Sequence, residues 1–222
     1  MKFKFTIVMF LAIVTMSGCT YIQGSKRADQ LEIENQNLQN RIVQLQKEKA
    51  KEIAHVVKQK DKEFSELENA KLELEESLKK EIGDYKAKLE LTERGLVVTF
   101  LSEVFFDSGK DVIRASGKES IRKVAEVLNR DVPDSNVAIE GYTDNQLIKY
   151  SGWKTNWELS SARALAVLHY FVDDCKVNPA RLSANGYGEF RPVVANDTEE
   201  NMQKNRRVEI VILPSKINKI KK

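Results

Sequence analysis

An acidic residue and a basic residue stand at positions from which their side chains can meet. The apolar, β-rich segment Val137–Tyr142 predicts a buried strand, and Asp144 follows close behind it. A helix is predicted to begin next, because Thr155 is a suitable N-cap and Glu158, three residues later, completes a capping box. Arg163 lies about two turns into that helix. The carboxylate at the strand end can therefore face the guanidinium of the helix.

Two kinds of chemistry are open to this pair. A carboxylate can hold an ammonium group, and the planar fork of an arginine can hold a carboxylate through two parallel hydrogen bonds. Asp144 and Arg163 together would then grip a zwitterion. The alternative is a structural salt bridge between the two residues, and their spacing alone does not separate these interpretations.

Strands and helices alternate in the C-terminal half, which predicts an α/β sandwich with a mixed sheet of βαβαββ order. The predicted elements are strand-forming sequence at 96–106, a helix at 116–130, a strand at 137–142, a helix at 156–173, and strands at 181–187 and 208–213. Apolar residues at helical spacing predict the buried face of the second helix, namely Trp157, Ala164, Val167, Leu168 and Phe171.

Four motifs follow one another in this half. They are Tyr142–Asp144 (YTD), Asn156–Ala164 (NWELSSARA), Gly186–Glu189 (GYGE) and Asn205–Ile210 (NRRVEI). In this order they resemble the OmpA-like (OmpA/MotB) domain family, over residues 95–213. The resemblance implies an α/β sandwich that binds the peptide stem of peptidoglycan at a diamino acid such as diaminopimelate.

The resemblance also implies roles for individual residues. Asp144 matches the acid that holds the ammonium of the ligand, and Arg163 matches the arginine that holds its carboxylate. Asn156, seven residues before Arg163, matches an asparagine that hydrogen-bonds a peptide carbonyl. Arg206 matches a further contact, which is expected either to take a second carboxylate or to brace the acid.

Phe106 and Asp107 match the family segment that forms one wall of the groove. Two positions depart from the family pattern. Tyr142 replaces a histidine, and a phenol does not titrate near neutral pH. Gly109 stands where some members have a contacting asparagine, so one side-chain hydrogen bond is lost.

The loop between Asp144 and Asn156 is longer than in peptidoglycan-associated lipoproteins, and it carries Tyr150 and Trp153. These two aromatic side chains either cover the site, or touch glycan, or are exposed without a function.

The N-terminus predicts a lipoprotein signal peptide at residues 1–18. A basic start precedes the apolar run Phe5–Met16, which suits a signal sequence and is too short to span a bilayer. It also lacks an acid, which argues against a motor-stator subunit with its proton-binding membrane helix. The segment Met16–Cys19 resembles a bacterial lipobox, which implies acylation of Cys19 and membrane anchoring, with an ordinary signal peptide as the alternative. Thr20, rather than aspartate, follows the cysteine, so we expect an outer-membrane anchor facing the periplasm.

A long helix is predicted after a linker at 19–28. Residues 29–93 contain no proline and a single glycine, Gly83. Heptad positions d, d, a and d are filled by Leu31, Leu38, Ile42 and Leu45, with Asn35 at an a position. We expect a coiled coil that makes the protein a homo-oligomer and spaces the membrane from the wall. The alternative is a single amphipathic hairpin folded onto the globular domain.

Composition excludes several functions. With 36 Lys and Arg against 33 Asp and Glu, the net charge of +3 gives no basic face of the kind that nucleic acid requires. Two His and two Cys are too few for the usual zinc sites, so no cofactor is expected. Ser161 and His169 are too far apart along one helix to act as nucleophile and base, so no enzymatic activity is expected. Residues 214–222 form a basic tail.

Together these features predict an outer-membrane lipoprotein that binds the peptidoglycan stem without a covalent bond and tethers the membrane to the cell wall. The alternative is a scaffold subunit of an envelope or secretion assembly, in which the OmpA-like domain is a docking module.

Overall fold

The computed structural model describes the backbone of residues 2–148 and 151–214, and the side chains in those ranges from Lys26 onwards. The side chain of Cys19 and those of the predicted signal peptide therefore lie outside the described residues, as do Tyr150 and residues 215–222 of the predicted tail. In the part that is described, no helix is long and apolar enough to cross a membrane, and no group of three or more His, Cys, Asp or Glu could hold a metal ion.

Helix α1 (Lys2–Ser77) is the longest element, and the chain divides into two compact units after Val57. Residues 29–77 contain neither proline nor glycine, so nothing in their covalent structure interrupts the helix. The long predicted helix is thus confirmed as far as Ser77, whereas the predicted linker at 19–28 is wrong, because α1 continues through it. In the first unit the predicted heptad residues are 42–55% exposed, namely Leu31, Leu38, Ile42 and Leu45.

The second unit begins at Lys58, inside α1, and the last turns of that helix belong to its hydrophobic core. Leu67, Ala70 and Leu74 are buried there, together with Leu78 just beyond the helix end. Their spacing of three and four residues places them on one helical face. This part of the predicted rod is therefore a component of the globular domain.

The predicted rod, which extends to residue 93, is too long. Helix α1 ends earlier and is followed by the short helix α2 (Lys79–Gly83) and by strand β1 (Ala87–Thr92). In β1 the partly buried Leu89 and Leu91 alternate with exposed residues, which is the period of two that a strand requires. The leucine stripe of α1 runs into this alternation without a strong turn signal, and the boundary is therefore hidden in the sequence.

The remaining elements complete a five-stranded mixed sheet. They are β2 (Gly95–Leu101), α3 (Ser102–Phe105), α4 (Ala115–Arg130), β3 (Val137–Gly141), α5 (Asn156–Asp173), β4 (Leu182–Gly186), α6 (Glu199–Asn205) and β5 (Arg207–Ile212). The strand order is β1-β2-β5-β3-β4, in which β3 and β4 are parallel and the other neighbours antiparallel. The predicted α/β fold is confirmed. Strand β1 and helix α6 were not predicted, and α3 replaces the end of the first predicted strand.

Helix α5 contributes Ala164, Val167 and Phe171 to the core, as predicted. The prediction that Trp157 is buried is wrong, because 47% of this residue is exposed. Trp157 lies in the first turn of α5, where its ring stacks on Phe190 with 5.1 Å between ring centroids instead of entering the core.

Helix α5 approaches the sheet closely at Gly141, the last residue of β3. A β-carbon at this position would lie 2.1 Å from the carbonyl oxygen of Ser160, so only glycine fits. The hydroxyl of Ser160 also accepts a hydrogen bond from the N–H of Gly188 at 2.9 Å. Asp144 follows Gly141 by three residues and Arg163 follows Ser160 by three, so this contact sets the distance between the two site residues.

Candidate functional site

All the residues predicted for the site line one cavity of about 870 Å³; they are Phe106, Asp107, Asp144, Asn156, Arg163 and Arg206. The end of β3, the start of α5, the turn after α3 and the end of α6 supply its walls. Lys110, Leu147 and Glu199 line the same cavity and were not predicted. A cavity of this size suits a ligand of amino acid or short peptide dimensions.

Asp144 is 5% exposed and both of its carboxylate oxygens are engaged. Oδ1 accepts a hydrogen bond from the backbone N–H of Gln146 at 3.0 Å, and Oδ2 accepts one from Nη1 of Arg206 at 2.6 Å. Among the ion pairs of the described side chains, Asp144 is joined to Arg206 and not to Arg163. The alternative of a salt bridge between Asp144 and Arg163 is therefore wrong.

Arg206 spans two carboxylates. Besides Asp144, it contacts Glu199, whose Oε1 accepts a hydrogen bond from Nη2 at 2.6 Å. Burial opposes the charge of Arg206, but these two hydrogen bonds outweigh it and raise the pKa of the guanidinium above its ordinary value. Of the two predicted roles, the geometry is that of a brace for Asp144.

Glu199 is a site residue that the sequence reasoning missed. It begins the short helix α6, whose N-cap Thr198 accepts a hydrogen bond from the N–H of Asn201 at 3.2 Å. A threonine followed by two acids is a signal for a helix start, and this signal was available in the sequence.

Arg163 is 5% exposed and is held by backbone oxygens. Its Nε donates to the carbonyl of Lys110 at 2.9 Å and its Nη2 to the carbonyl of Asp107 at 3.3 Å. The ring of Phe106 covers the guanidinium at 5.2 Å. Removal from water, and then the nearby Arg206, lower the pKa of Arg163 to about 10. No carboxylate of the described side chains pairs with it, and such a desolvated cation favours an incoming carboxylate.

The turn after α3 contributes its backbone more than its side chains. Asp107 offers its carbonyl oxygen to Arg163, whereas its carboxylate is 71% exposed and lies 3.6 Å from Nε of Arg114. Gly109 has a φ of +66°, and a β-carbon there would come within 2.6 Å of Cβ of Ser151. The side chain that some family members carry at this position therefore does not fit.

Trp153 joins the long loop after Asp144 to the same turn. Its Nε1 donates a hydrogen bond to the carbonyl of Gly109 at 3.0 Å. In the same loop, Leu147 lines the cavity with 80% of its surface exposed. Trp153 thus fixes a wall of the cavity, while Leu147 offers it an apolar edge.

Asn156 connects three segments around the cavity. Its Nδ2 donates to Oε2 of Glu189 at 2.6 Å, to the carbonyl of Gln146 at 3.1 Å and to that of Asp144 at 3.3 Å. These bonds order the backbone that carries Asp144. Contact of Asn156 with a ligand carbonyl stays a prediction.

Tyr142 lies among protein groups and is not part of the cavity lining. Its hydroxyl donates to Oε2 of Glu140 at 2.6 Å, its ring stacks on that of Tyr187 at 5.1 Å, and the guanidinium of Arg207 lies over the ring at 3.7 Å. Burial, followed by the hydrogen bond to Glu140, raises the pKa of the phenol. The tyrosine that replaces the family histidine therefore supports the end of β3.

The sequence profile of the OmpA family matches residues 105–206, which include all the predicted residues of the cavity. These residues are an OmpA family domain. Motility protein B from Bacillus subtilis is 40% identical over 151 residues, or 67% of this chain and 57% of that protein. The chain thus spans little more than half the length of this relative.

Two solved structures share the fold of the OmpA domain and its preceding helix. A putative MotB like protein from Desulfovibrio vulgaris has a TM-score of 0.63 at 26% identity, covering 69% of this chain and 94% of that one. The cell wall anchor of the T6SS from Pseudomonas aeruginosa has a TM-score of 0.58 at 27% identity, covering 64% of this chain and 96% of that one.

The Arg163→Met variant tests whether Arg163 stabilises the fold or is free to serve in ligand binding. The guanidinium is protonated at neutral pH in both the folded and the unfolded chain, and its pKa is lower in the folded one. Its charge therefore favours unfolding at every pH below about 10. We expect Arg163→Met to leave the free energy of unfolding, measured with urea at pH 7, within about 1 kcal/mol of the parent or to raise it.

Arg181→Met is the matched control for this experiment. Arg181 is also buried, and it donates to the carbonyls of Leu128 at 2.8 Å and Val132 at 2.9 Å. Burial lowers the pKa of Arg181 as well, so the two variants differ in the carbonyls that they leave without a donor. The carbonyls of Leu128 and Val132 lie beside the core, and leaving them without a hydrogen bond should cost about 2–3 kcal/mol. The carbonyls that Arg163 leaves open face the cavity, where water can reach them. An equal loss of stability in both variants would contradict the prediction and make Arg163 a structural cross-link.

Proposed function

We propose that the OmpA domain of this protein binds the peptide stem of peptidoglycan at a residue that carries both an ammonium and a carboxylate, such as diaminopimelate. The observation that supports this most directly is the pairing in one cavity of a buried acid, Asp144, with a buried arginine, Arg163, that has no carboxylate partner among the described side chains. These two groups match the two charges of such a ligand.

Binding then requires an exchange of partners. The ammonium of the ligand takes Oδ2 of Asp144 from Nη1 of Arg206, while Nη2 of Arg206 stays on Glu199. The ligand carboxylate pairs with Arg163, whose hydrogen bonds to the carbonyls of Asp107 and Lys110 hold the guanidinium in place. The proposed ligand supplies the counter-charge that Arg163 lacks, which raises the pKa of this group again.

The test is co-sedimentation of the full chain with purified cell-wall sacculi. We expect Asp144→Asn and Arg163→Met each to weaken binding by about tenfold or more, because each removes one charge-assisted hydrogen-bonding group. Asp173→Asn and Arg122→Met change exposed residues outside the cavity and should bind as the parent does. Equal retention of all five proteins, with every variant folded, would exclude this cavity as the stem site.

A second candidate is a scaffold function, in which the OmpA domain docks onto a component of an envelope or secretion assembly. The likeness to the cell wall anchor of the T6SS supports this candidate. It becomes the better explanation if the sacculi retain all five proteins equally or none of them.

The exposed stripe on α1 supports a further part of the proposal, a homo-oligomeric coiled coil. The stripe follows the a and d positions of a heptad, so a second copy of the chain offers it a complementary surface, and Asn35 at an a position would fix the register. Ile33 and Val43 are as exposed as the stripe but occupy f and b positions outside it.

A pair of lysine substitutions on the stripe tests this assembly. We expect Leu38→Lys with Ile42→Lys to convert the full chain to a monomer in density-matched sedimentation equilibrium, because it places charges in the seam. Ile33→Lys with Val43→Lys adds the same charge outside the seam and should preserve the oligomer. A monomeric parent, or dissociation by both pairs, would rule out the proposed seam.

The segment Met16–Cys19 supports an anchor on the outer membrane through acylated Cys19, facing the periplasm. With this anchor, the protein would tether the outer membrane to the cell wall. An inner-membrane location, which the similarity to Motility protein B favours, is the alternative.

Metabolic labelling with a fatty acid in a Gram-negative host tests the anchor. We expect the parent and Cys175→Ser to incorporate the label and to fractionate with the outer membrane. Cys19→Ser should carry no label, because it lacks the sulfur that is acylated. If Cys19→Ser incorporates the label, or if the parent does not, the proposed lipid anchor is wrong. If the labelled parent fractionates with the inner membrane, the proposed outer-membrane location is wrong.

A further inference from the structure

Two exposed aromatic side chains form a stacked pair next to Asn156, a residue of the cavity wall. Trp157 is 47% exposed and Phe190 is 62% exposed. Their rings lie 5.1 Å apart between centroids, with 21° between the ring planes. Exposed aromatic surface of this kind costs free energy in water, and two such rings side by side offer an apolar patch that a ligand can cover.

The pair is directly connected to the cavity. Asn156, which lines the cavity, precedes Trp157, and Glu189, which accepts a hydrogen bond from Asn156 at 2.6 Å, precedes Phe190. Trp157 therefore begins one residue beyond the cavity wall, and Phe190 follows a residue that is hydrogen-bonded to that wall. A ligand that extends from the cavity past Asn156 can reach the aromatic pair.

The backbone beneath the rings is fixed on both sides. The N–H of Gly188 donates to Oγ of Ser160 at 2.9 Å, and the carbonyl of Gly188 accepts from the N–H of Thr143 at 2.9 Å. The same loop is thus tied to helix α5 and to the residue before Asp144. A surface with this support binds without a large loss of conformational entropy.

We propose that Trp157 and Phe190 bind a sugar ring of the glycan strand to which the stem peptide is attached. This inference rests on the proposed function, because a stem held by Asp144 and Arg163 brings its own glycan to the rim of the cavity. The apolar C–H face of a pyranose packs against an aromatic ring through dispersion and through attraction to the negative ring face. Two rings are the size of one or two sugars and far smaller than a stable protein interface of about 1,200 Å² or more.

The test compares two soluble ligands in calorimetric titrations of the full chain in detergent. One is a free stem peptide that contains diaminopimelate, and the other is the same peptide attached to its disaccharide. We expect the parent to bind the disaccharide-peptide about fivefold more tightly than the free peptide, which is the gain typical of one aromatic contact.

Trp157→Ala and Phe190→Ala should bring this ratio close to one and leave the affinity for the free peptide unchanged. Leu165→Ala is the matched control, because Leu165 is a similarly exposed apolar residue of α5, 46% exposed and two turns further along, and its variant should keep the ratio of the parent. A ratio of one in the parent overturns the inference. So does a variant that weakens both ligands equally, or a change in oligomeric mass on Trp157→Ala, which would make the pair a contact between copies.

The proposed function and this inference fail in different ways. If the free peptide does not bind, or binds Asp144→Asn as well as the parent, the proposed stem site is wrong. In that case, the sugar-binding role of Trp157 and Phe190 is tested separately, by retention of the protein on glycan strands from which the peptides have been removed. Retention of the parent on these strands, together with loss of retention in Trp157→Ala, supports the aromatic site, and equal behaviour of the two proteins overturns it.

Discussion

A buried guanidinium needs hydrogen-bond acceptors for its N–H groups and a counter-charge, and Arg163 has the first without the second. The turn after α3 supplies two carbonyl oxygens, from Asp107 and Lys110, and Phe106 excludes water from one face. Trp153 holds the same turn from the opposite loop, through Gly109. The turn, the loop and α5 are therefore arranged around one charge that the described protein groups do not neutralise.

Arg206, which lies near Arg163, differs from it in having acidic partners within the protein. It lies between Asp144 and Glu199, two carboxylates whose hydrogen bonds outweigh the cost of its burial. Arg163 is deeper, and for this group desolvation prevails. The two guanidiniums repel each other, so the pairing of Arg206 with acids also limits the repulsion that Arg163 experiences. One arginine is paired with acids of the protein, and the other has no acidic partner among the described side chains.

Local signals predicted the elements that carry Asp144 and Arg163. The apolar run of β3 and the capping box at Thr155 each involve only a few consecutive residues. In the structure Thr155 is the N-cap of α5, and its oxygen accepts a hydrogen bond from the N–H of Glu158 at 3.2 Å. The partners of these residues were harder to predict. Glu199 lies on a helix of seven residues, too short to show a periodic pattern, and Arg206 reaches Asp144 from 62 positions away.

Trp157 and the end of the predicted rod were assigned wrongly because helical periodicity does not identify the partners of a residue. The helical period correctly predicted Ala164, Val167 and Phe171 as core residues, and it assigned Trp157 to the core because the pattern cannot tell where the sheet beneath the helix stops. Its actual partner, Phe190, belongs to a loop after β4. Likewise, Leu74 and Leu78 keep a helical spacing at the end of the predicted rod, yet they pack in the globular core. Periodicity defines a face of an element, and only the tertiary structure defines what covers that face.

The pairing of Asp144 with Arg206 also limits how tightly a single domain can hold a zwitterion. In the proposed complex, the ammonium of the ligand would replace a charge-assisted hydrogen bond of 2.6 Å that already exists, so only the difference between the two interactions would contribute to binding. The full gain would arise at Arg163, where no ion pair is broken. The affinity of one domain for one stem would then be modest. Several domains brought together by the proposed seam on α1 would bind many stems at once, and a high local concentration of stems would compensate for a weak single contact.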